Sequence, residues 1–158
     1  MSVAHDIATF TVNAKPSQVA REIMAQSLYD WMGCGMAAVS EPVAGIMRAQ
    51  ALDDGGRAQA AMFGGGHVPA RAAALVNGTI SHALDYDDTH FAHIGHLSVG
   101  ILPAVMACAP KDGEAVLDAA CIGFEVATRF GLWLGRGHYQ AGFHQTATAG
   151  ASGATAAV

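Results

Sequence analysis

Small side chains dominate this chain and constrain its fold more than any other feature. Of its 158 residues, 33 are alanine and 19 are glycine. Because small side chains let helix axes approach closely, this composition favours a bundle of tightly packed helices. The chain has no internal repeat and no pattern typical of a parallel sheet. We therefore predict one all-α helical bundle domain spanning residues 1–158.

Residues that commonly begin helices, together with the spacing of apolar residues, predict where the helices lie. Five helices are predicted at residues 17–38, 42–52, 70–85, 99–108 and 114–134, and a sixth begins near residue 143. A turn is predicted at residues 53–56, and a short strand or irregular segment at residues 58–63. A break between helices is predicted at residues 110–113. In the fifth helix, Glu125 and Arg129 are four residues apart and are expected to pair.

Composition excludes several classes of protein. The net charge is −5 with eight lysines and arginines, and no basic stripe indicates a nucleic-acid partner. The longest apolar stretch, residues 99–110, is too short to cross a membrane and contains Pro103. His5 and Asp6 stand where the apolar region of a secretion signal would begin. Three cysteines without CxxC spacing suit a reducing compartment, so we expect a cytoplasmic protein, or one in an organelle matrix if a transit peptide was removed.

Titratable side chains are concentrated between His82 and Ser98. Charged residues make up only 13% of the chain, yet this segment holds Asp85, Asp87, Asp88, His82, His90, His93 and His96. Imidazole accepts and donates protons near neutral pH, so the segment predicts an acid–base site. If the third helix continues, His82, Asp85 and Thr89 share one of its faces, and Asp85 orients a neighbouring side chain.

A second, smaller cluster follows at the start of the sixth predicted helix. His144 comes directly after Gly142 and Phe143, where free backbone N–H groups and the helix dipole favour an anion. Thr146 and Thr148 add hydroxyl donors. Together with the first cluster, this arrangement predicts acid–base chemistry on a molecule that carries carboxylates.

A metal site is the alternative interpretation of the first cluster. Histidine and aspartate are good ligands for zinc or iron, and His90, His93 and His96 are the candidate ligands. The segment lacks the paired histidines of an HExxH helix, and its spacing matches no known ligand pattern. The main prediction is therefore a site with no metal and no cofactor.

Several motifs resemble the MmgE/PrpD family, which includes 2-methylcitrate dehydratase, cis-aconitate decarboxylase and iminodisuccinate epimerase. The resemblance rests on residues 28–35, 73–89, 96–98, 101–104, 123–126 with Arg129, and 142–146. These pieces occur in the family's order and span nearly the whole chain. The resemblance implies the N-terminal part of a helical domain, a smaller α/β lid domain in later sequence, and homodimers.

The resemblance also implies an activity and the residues that carry it. Family members act without metal on small di- and tricarboxylic acids, moving protons next to carboxylates in dehydration, decarboxylation or epimerisation. The catalytic residues expected on the matching positions are His96, His144 and Asp85, with His96 as the main acid–base group and Asp85 orienting it. The expected substrate-binding residues are Thr89, His93 and Thr146.

The family's active-site lysines and a later histidine would lie beyond residue 158. The last predicted helix, rich in alanine and glycine, also has no terminating signal. We therefore expect an incomplete part of a larger helical domain. The alternative function is a catalytically incomplete fragment, or a split subunit that needs a complementing C-terminal chain.

Overall fold

The computed structural model describes residues 2–108 and 112–158. Within these ranges the chain forms seven α-helices and one antiparallel hairpin, so the all-α prediction is confirmed. The elements are α1 (Val3–Asn13), α2 (Gln18–Ala37), α3 (Pro42–Asp54), β1 (Ala60–Ala61), β2 (His67–Val68), α4 (Ala70–Ser81), α5 (Ser98–Cys108), α6 (Gly113–Gln140) and α7 (Gln145–Ala157). A 3₁₀ turn, Ala38–Ser40, joins α2 to α3.

Local capping explains where most of the predicted helices begin. The Ser17 hydroxyl accepts a hydrogen bond from the Ala20 N–H at 3.2 Å and starts α2. Pro42 occupies the first turn of α3, where a backbone N–H would have no hydrogen-bond partner within the helix, so its absence costs nothing. The Asp112 carboxylate accepts from the Glu114 N–H and starts α6. Residues 110 and 111 of the predicted break lie outside the described residues.

Three helices differ from the prediction. The helix α1, which begins after the cap Ser2, was not predicted. The helix α4 ends at Ser81, so residues 82–89 do not share a helix face. The side chains of this loop instead form hydrogen bonds within the loop and to the start of α5. The helix α6 continues past residue 134 to Gln140 across a kink at Gly135, whose φ of 67° is left-handed.

The central helix of the core is α5, which packs against α4, α6 and α7. Its residues Ile101 and Leu102 are almost completely buried. Pro103 lacks the N–H that would bond to the Val99 carbonyl in a regular helix. That oxygen instead lies against Gly78 of α4, where an added Cβ would be only 3.0 Å away. A small residue therefore lets α4 approach α5 closely.

The helices α6 and α7 cross at a pair of glycines. A Cβ on Gly153 would lie 2.6 Å from the Gly123 carbonyl oxygen, and a Cβ on Gly123 would lie 2.8 Å from the Gly153 oxygen. Neither backbone can move aside without disturbing its own helix. The close helix packing expected from the composition is thus found at this crossing.

Buried polar side chains fix α4 to its neighbours. The Trp31 Nε1–H of α2 donates to the Ser81 hydroxyl at 2.9 Å. The Asn77 amide accepts from the Phe63 N–H at 2.8 Å and donates to the Ala61 carbonyl at 2.9 Å, which holds the hairpin. The end of α4 is therefore anchored immediately before the segment rich in histidine and aspartate.

The cysteines are free thiols in three different environments. Cys34 is buried, Cys121 is half-buried and Cys108 is exposed. Burial raises the pKa of the Cys34 and Cys121 thiols. None of the helices in the described part of the chain combines the length and apolarity needed to cross a bilayer.

Candidate active site

A cavity of about 660 Å³ lies between the loop after α4 and the adjoining ends of α6 and α7. Both clusters found in the sequence contribute to its wall. Of the predicted site residues, the structure brings together Asp85, Thr89, His96, His144 and Thr146. The wall also contains His82, His90, Phe91, Ile94, Arg136 and Tyr139.

A tight turn shapes the loop that carries His96. The His90 N–H donates to the Gly95 carbonyl at 2.9 Å, and the Ile94 N–H donates to the His90 carbonyl at 2.8 Å. Ile94 has a φ of 57°, an unusual conformation for a β-branched residue. The His96 N–H then donates to the Thr146 hydroxyl at 3.0 Å. This bond ties the turn to the first turn of α7.

Asp88 closes the same loop onto α5. Its carboxylate accepts from the Ser98 N–H at 3.1 Å and from the Ser98 hydroxyl at 2.6 Å. Ser98 is the first residue of α5 and is completely buried. Both carboxylate oxygens of Asp88 therefore hold the loop to the start of α5.

Asp87 lies between two histidines and its side chain is completely buried. Its Oδ1 is 2.8 Å from His82 Nδ1, and its Oδ2 is 3.1 Å from His96 Nδ1. His96 Nδ1 is also 3.2 Å from the Asp87 carbonyl oxygen. Carboxylate and carbonyl oxygens only accept hydrogen bonds, so both Nδ1 atoms carry a proton here. In the uncharged form of His96, this arrangement leaves Nε2 as the basic atom.

Asp85 stands on the other side of the same imidazole. Its Oδ1 is 3.4 Å from His96 Nε2, and its side chain is 78% exposed. Asp87 therefore lies beside Nδ1 of His96 and Asp85 lies beside Nε2, whereas the sequence predicted only Asp85 as a neighbour of this imidazole. Sequence spacing could not distinguish the two, because it does not reveal which aspartate is buried.

His93 lies outside the cavity wall. It is fully buried, and its Nδ1 donates to the Ala127 carbonyl of α6 at 3.2 Å. Burial lowers the pKa of His93, which favours the neutral form of its imidazole. Gly131 makes room for it, since an added Cβ would be 2.8 Å from His93 Cα. The structure places this predicted substrate-binding residue in the packing of the loop against α6.

The opposite wall comes from the α6–α7 junction. Gln145 is completely buried and its Nε2–H donates to the Gly135 carbonyl at 2.9 Å, which holds the kink of α6 against α7. Beyond this kink, Arg136 and Tyr139 reach the cavity wall, and the Tyr139 ring packs edge-on against His144. Neither residue was predicted at the site, because the predicted helix ended at residue 134. A guanidinium beside the N-terminus of α7 suits an anionic group.

A family model described as the MmgE/PrpD N-terminal domain matches residues 5–158. The chain belongs to the MmgE/PrpD family. The match agrees with the resemblance drawn from the motifs, including its restriction to the N-terminal part. No curated protein matches the chain.

This MmgE/PrpD domain also brings four metal-compatible side chains together. One nitrogen or oxygen from each lies within 4.8 Å of the others, and the four residues are His82, Asp85, Asp87 and His96. The metal alternative from the sequence named His90, His93 and His96, of which only His96 belongs to this group. The His90 Nδ1 instead accepts from the His93 N–H at 3.3 Å.

Proposed function

We propose that this domain provides the acid–base site of a metal-independent lyase or epimerase that acts on a small di- or tricarboxylic acid. The observation that carries the proposal is the buried Asp87 carboxylate beside His96 Nδ1. It favours the tautomer in which Nε2 is available for proton transfer at the cavity. Membership of the MmgE/PrpD family supports the same class of reaction. We place this activity in the cytoplasm.

His96 is the proposed main acid–base residue. Its Nε2 takes a proton from the carbon next to a substrate carboxylate, and the Asp87 carboxylate stabilises the imidazolium that results. A positioned acid–base group contributes about 10²–10⁴-fold to a rate. His144 on the opposite wall is the second acid–base residue. Dehydration and epimerisation begin with such a proton removal, whereas decarboxylation ends with delivery of a proton.

One guanidinium and several hydroxyls at the cavity favour a carboxylate-bearing substrate. Arg136 supplies a guanidinium, and Thr89 and Thr146 supply hydroxyls. Thr146 already binds the His96 N–H through its oxygen, so its hydroxyl proton remains available to an acceptor. The backbone N–H groups at the start of α7 add further positive potential.

A second candidate function is a catalytically incomplete domain that needs a complementing C-terminal chain or a second copy. Among the residues that the structure describes, Arg136 is the only lysine or arginine in the cavity wall. Two or three substrate carboxylates need more positive charge than one guanidinium provides. A partner chain that carries cations would complete the site.

Proton–deuterium exchange tests the proposal directly. The chain is incubated in D₂O with EDTA and, in turn, 2-methylcitrate, citrate, cis-aconitate and iminodisuccinate, and the C–H signals are followed by NMR. We expect one compound to lose a C–H signal with the parent chain and with His67→Ala, an exposed histidine of β2, but not with His96→Ala.

The outcomes separate the two candidates. Exchange that persists within about twofold in His96→Ala would remove His96 as the acid–base residue, since its loss should cost far more. A folded parent chain that exchanges none of the compounds would favour the incomplete-domain alternative. The search would then turn to a chain that supplies the missing cations.

A further inference from the structure

We propose that His82, Asp85, Asp87 and His96 bind one divalent transition-metal ion of the zinc type. The proposal does not depend on the proposed function, because it requires only these four side chains. A metal ion bound to His96 would withdraw its imidazole from proton transfer. Zinc is therefore expected to inhibit the proposed reaction rather than to support it.

The donor set and its spacing suit zinc. Two imidazoles with two carboxylates select borderline transition metals over magnesium or calcium, which prefer oxygen ligands alone. The four donor atoms lie within 4.8 Å of one another. Zinc bonds to nitrogen and oxygen of about 2.0–2.2 Å imply donor atoms about 3.4 Å apart. The side chain of Asp85 is 78% exposed and can therefore turn towards the other three donors.

The state of Asp87 independently points to a missing cation. Its side chain is completely buried, and Oδ2 has no well-formed hydrogen bond, since the bond from His96 Nδ1 is directed to the Asp87 carbonyl. Within residues 2–108 and 112–158, no lysine or arginine nitrogen lies within 4.0 Å of Asp85 or Asp87. A buried carboxylate without a full partner is costly, and a divalent ion would satisfy its lone pairs.

The surrounding contacts hold one side of the group rigid and leave the other side open. Ser81, directly before His82, is bonded to Trp31, and Asp88, directly after Asp87, caps α5 through Ser98. His82 and Asp87 are therefore held at the ends of a short anchored segment. Asp85 lies towards the cavity, which provides the path by which an ion enters.

Cobalt binding tests the proposal, because tetrahedral Co²⁺ at a nitrogen–oxygen site absorbs visible light. The full chain is treated with EDTA, dialysed and titrated with Co²⁺. We expect the absorption to saturate at one equivalent and to be lost when one equivalent of Zn²⁺ is added. Asp85→Asn and His82→Ala should each weaken Co²⁺ binding by about tenfold or more, whereas His67→Ala should leave it unchanged.

Circular dichroism first confirms that each variant is folded, and the exposed Asp85 provides a substitution that spares the core. The proposal is overturned if the folded parent chain shows no saturable absorption. It is also overturned if Asp85→Asn and His82→Ala bind Co²⁺ as tightly as the parent. Since the exchange experiment is run in EDTA, failure of metal binding and failure of the proposed function remain distinguishable.

Discussion

Asp87 influences the protonation of two histidines of the site. Its buried carboxylate faces Nδ1 of both His82 and His96. The two imidazole rings pack edge to face, with their centroids 4.7 Å apart. An oxygen acceptor at both Nδ1 positions favours one tautomer for both rings. The protonation pattern of the site therefore depends on a residue that does not line the cavity.

Replacing Asp87 with asparagine should change the tautomer of His82 or His96. The amide presents an N–H donor as well as an oxygen, so one imidazole must accept at Nδ1 and move its proton to Nε2. We expect two-dimensional ¹H–¹⁵N NMR to show a changed tautomer, together with a loss of exchange activity of about 10²–10⁴-fold. The control is Asp53→Asn in α3. An unchanged tautomer in a folded Asp87→Asn chain would contradict the assigned role.

His93 should make the stability of the fold depend on pH. Burial lowers its pKa in the folded state, whereas the unfolded chain protonates this histidine near pH 6.5. Since the unfolded state then binds more protons, the free energy of unfolding should fall as pH drops below about 7, by at most about 1.4 kcal/mol per pH unit. The contribution of His93 to stability is fully present above its pKa in the unfolded chain. It is lost progressively as the pH falls to its pKa in the folded chain.

Urea unfolding at pH 7.5 and pH 5.5 measures this contribution. The His93→Asn chain is expected to be less stable at both pH values but to lose less stability between them than the parent. The exposed His67→Asn chain should behave like the parent. An equal pH dependence in the parent and in His93→Asn would show that His93 titrates alike in both states.

At the scale of elements, α6 determines where the histidine-rich loop can lie. Gly131 leaves the space that His93 fills, and the Ala127 carbonyl one turn earlier receives its hydrogen bond. Thr146 of α7 holds the other end of the loop through the His96 N–H. The loop is thus positioned by two helices that lie far from it in sequence.

Gly131→Ala should displace the loop. The added Cβ would lie 2.8 Å from His93 Cα and 3.0 Å from its carbonyl oxygen, and backbone atoms cannot rotate away. We expect a loss of about 1–3 kcal/mol in the free energy of unfolding. Gly33→Ala in α2, with nothing within 4 Å of its Cβ, should instead gain about 0.5–1 kcal/mol. Urea denaturation compares the two, and a Gly131→Ala chain as stable as the parent would refute the close packing.

At the scale of the whole molecule, large apolar side chains are exposed on α1 and α6. Val12 is 83% exposed and Trp133 is 79% exposed, with Leu132 beside it. A groove between these helices is lined by Val3, Ile7, Phe10, Val126, Phe130 and Trp133, with Asp6 and Arg129 also contributing. Apolar surface of this kind is typical of a face that another chain covers.

We expect the isolated chain to form a homodimer through this face. Light scattering after gel filtration should give a mass that rises with concentration from 16.2 kDa towards twice that value. Trp133→Ser should move the equilibrium towards monomer, and Tyr29→Ser, an exposed position on α2, should not. A monomer at every concentration would exclude this dimer.

The sequence by itself determined the class of fold, most helix positions and the two regions that form the site. These follow from local physics: caps such as Ser17, apolar spacing, and neighbours such as Glu125 and Arg129, which pair at 2.8 Å as predicted. The motifs of the site also pointed to the family, because they are short and contiguous.

Only the tertiary structure decided what each titratable side chain does. In the folded chain Asp87 is buried and Asp85 is exposed. His93 packs against α6 rather than lining the cavity, and the kink at Gly135 allows Arg136 to reach the cavity wall. The burial of a charged group depends on contacts between residues distant in the chain, even where its partners are close in sequence, as His82 and His96 are to Asp87. Local spacing carries no information about such contacts, so it located the chemistry without assigning the roles.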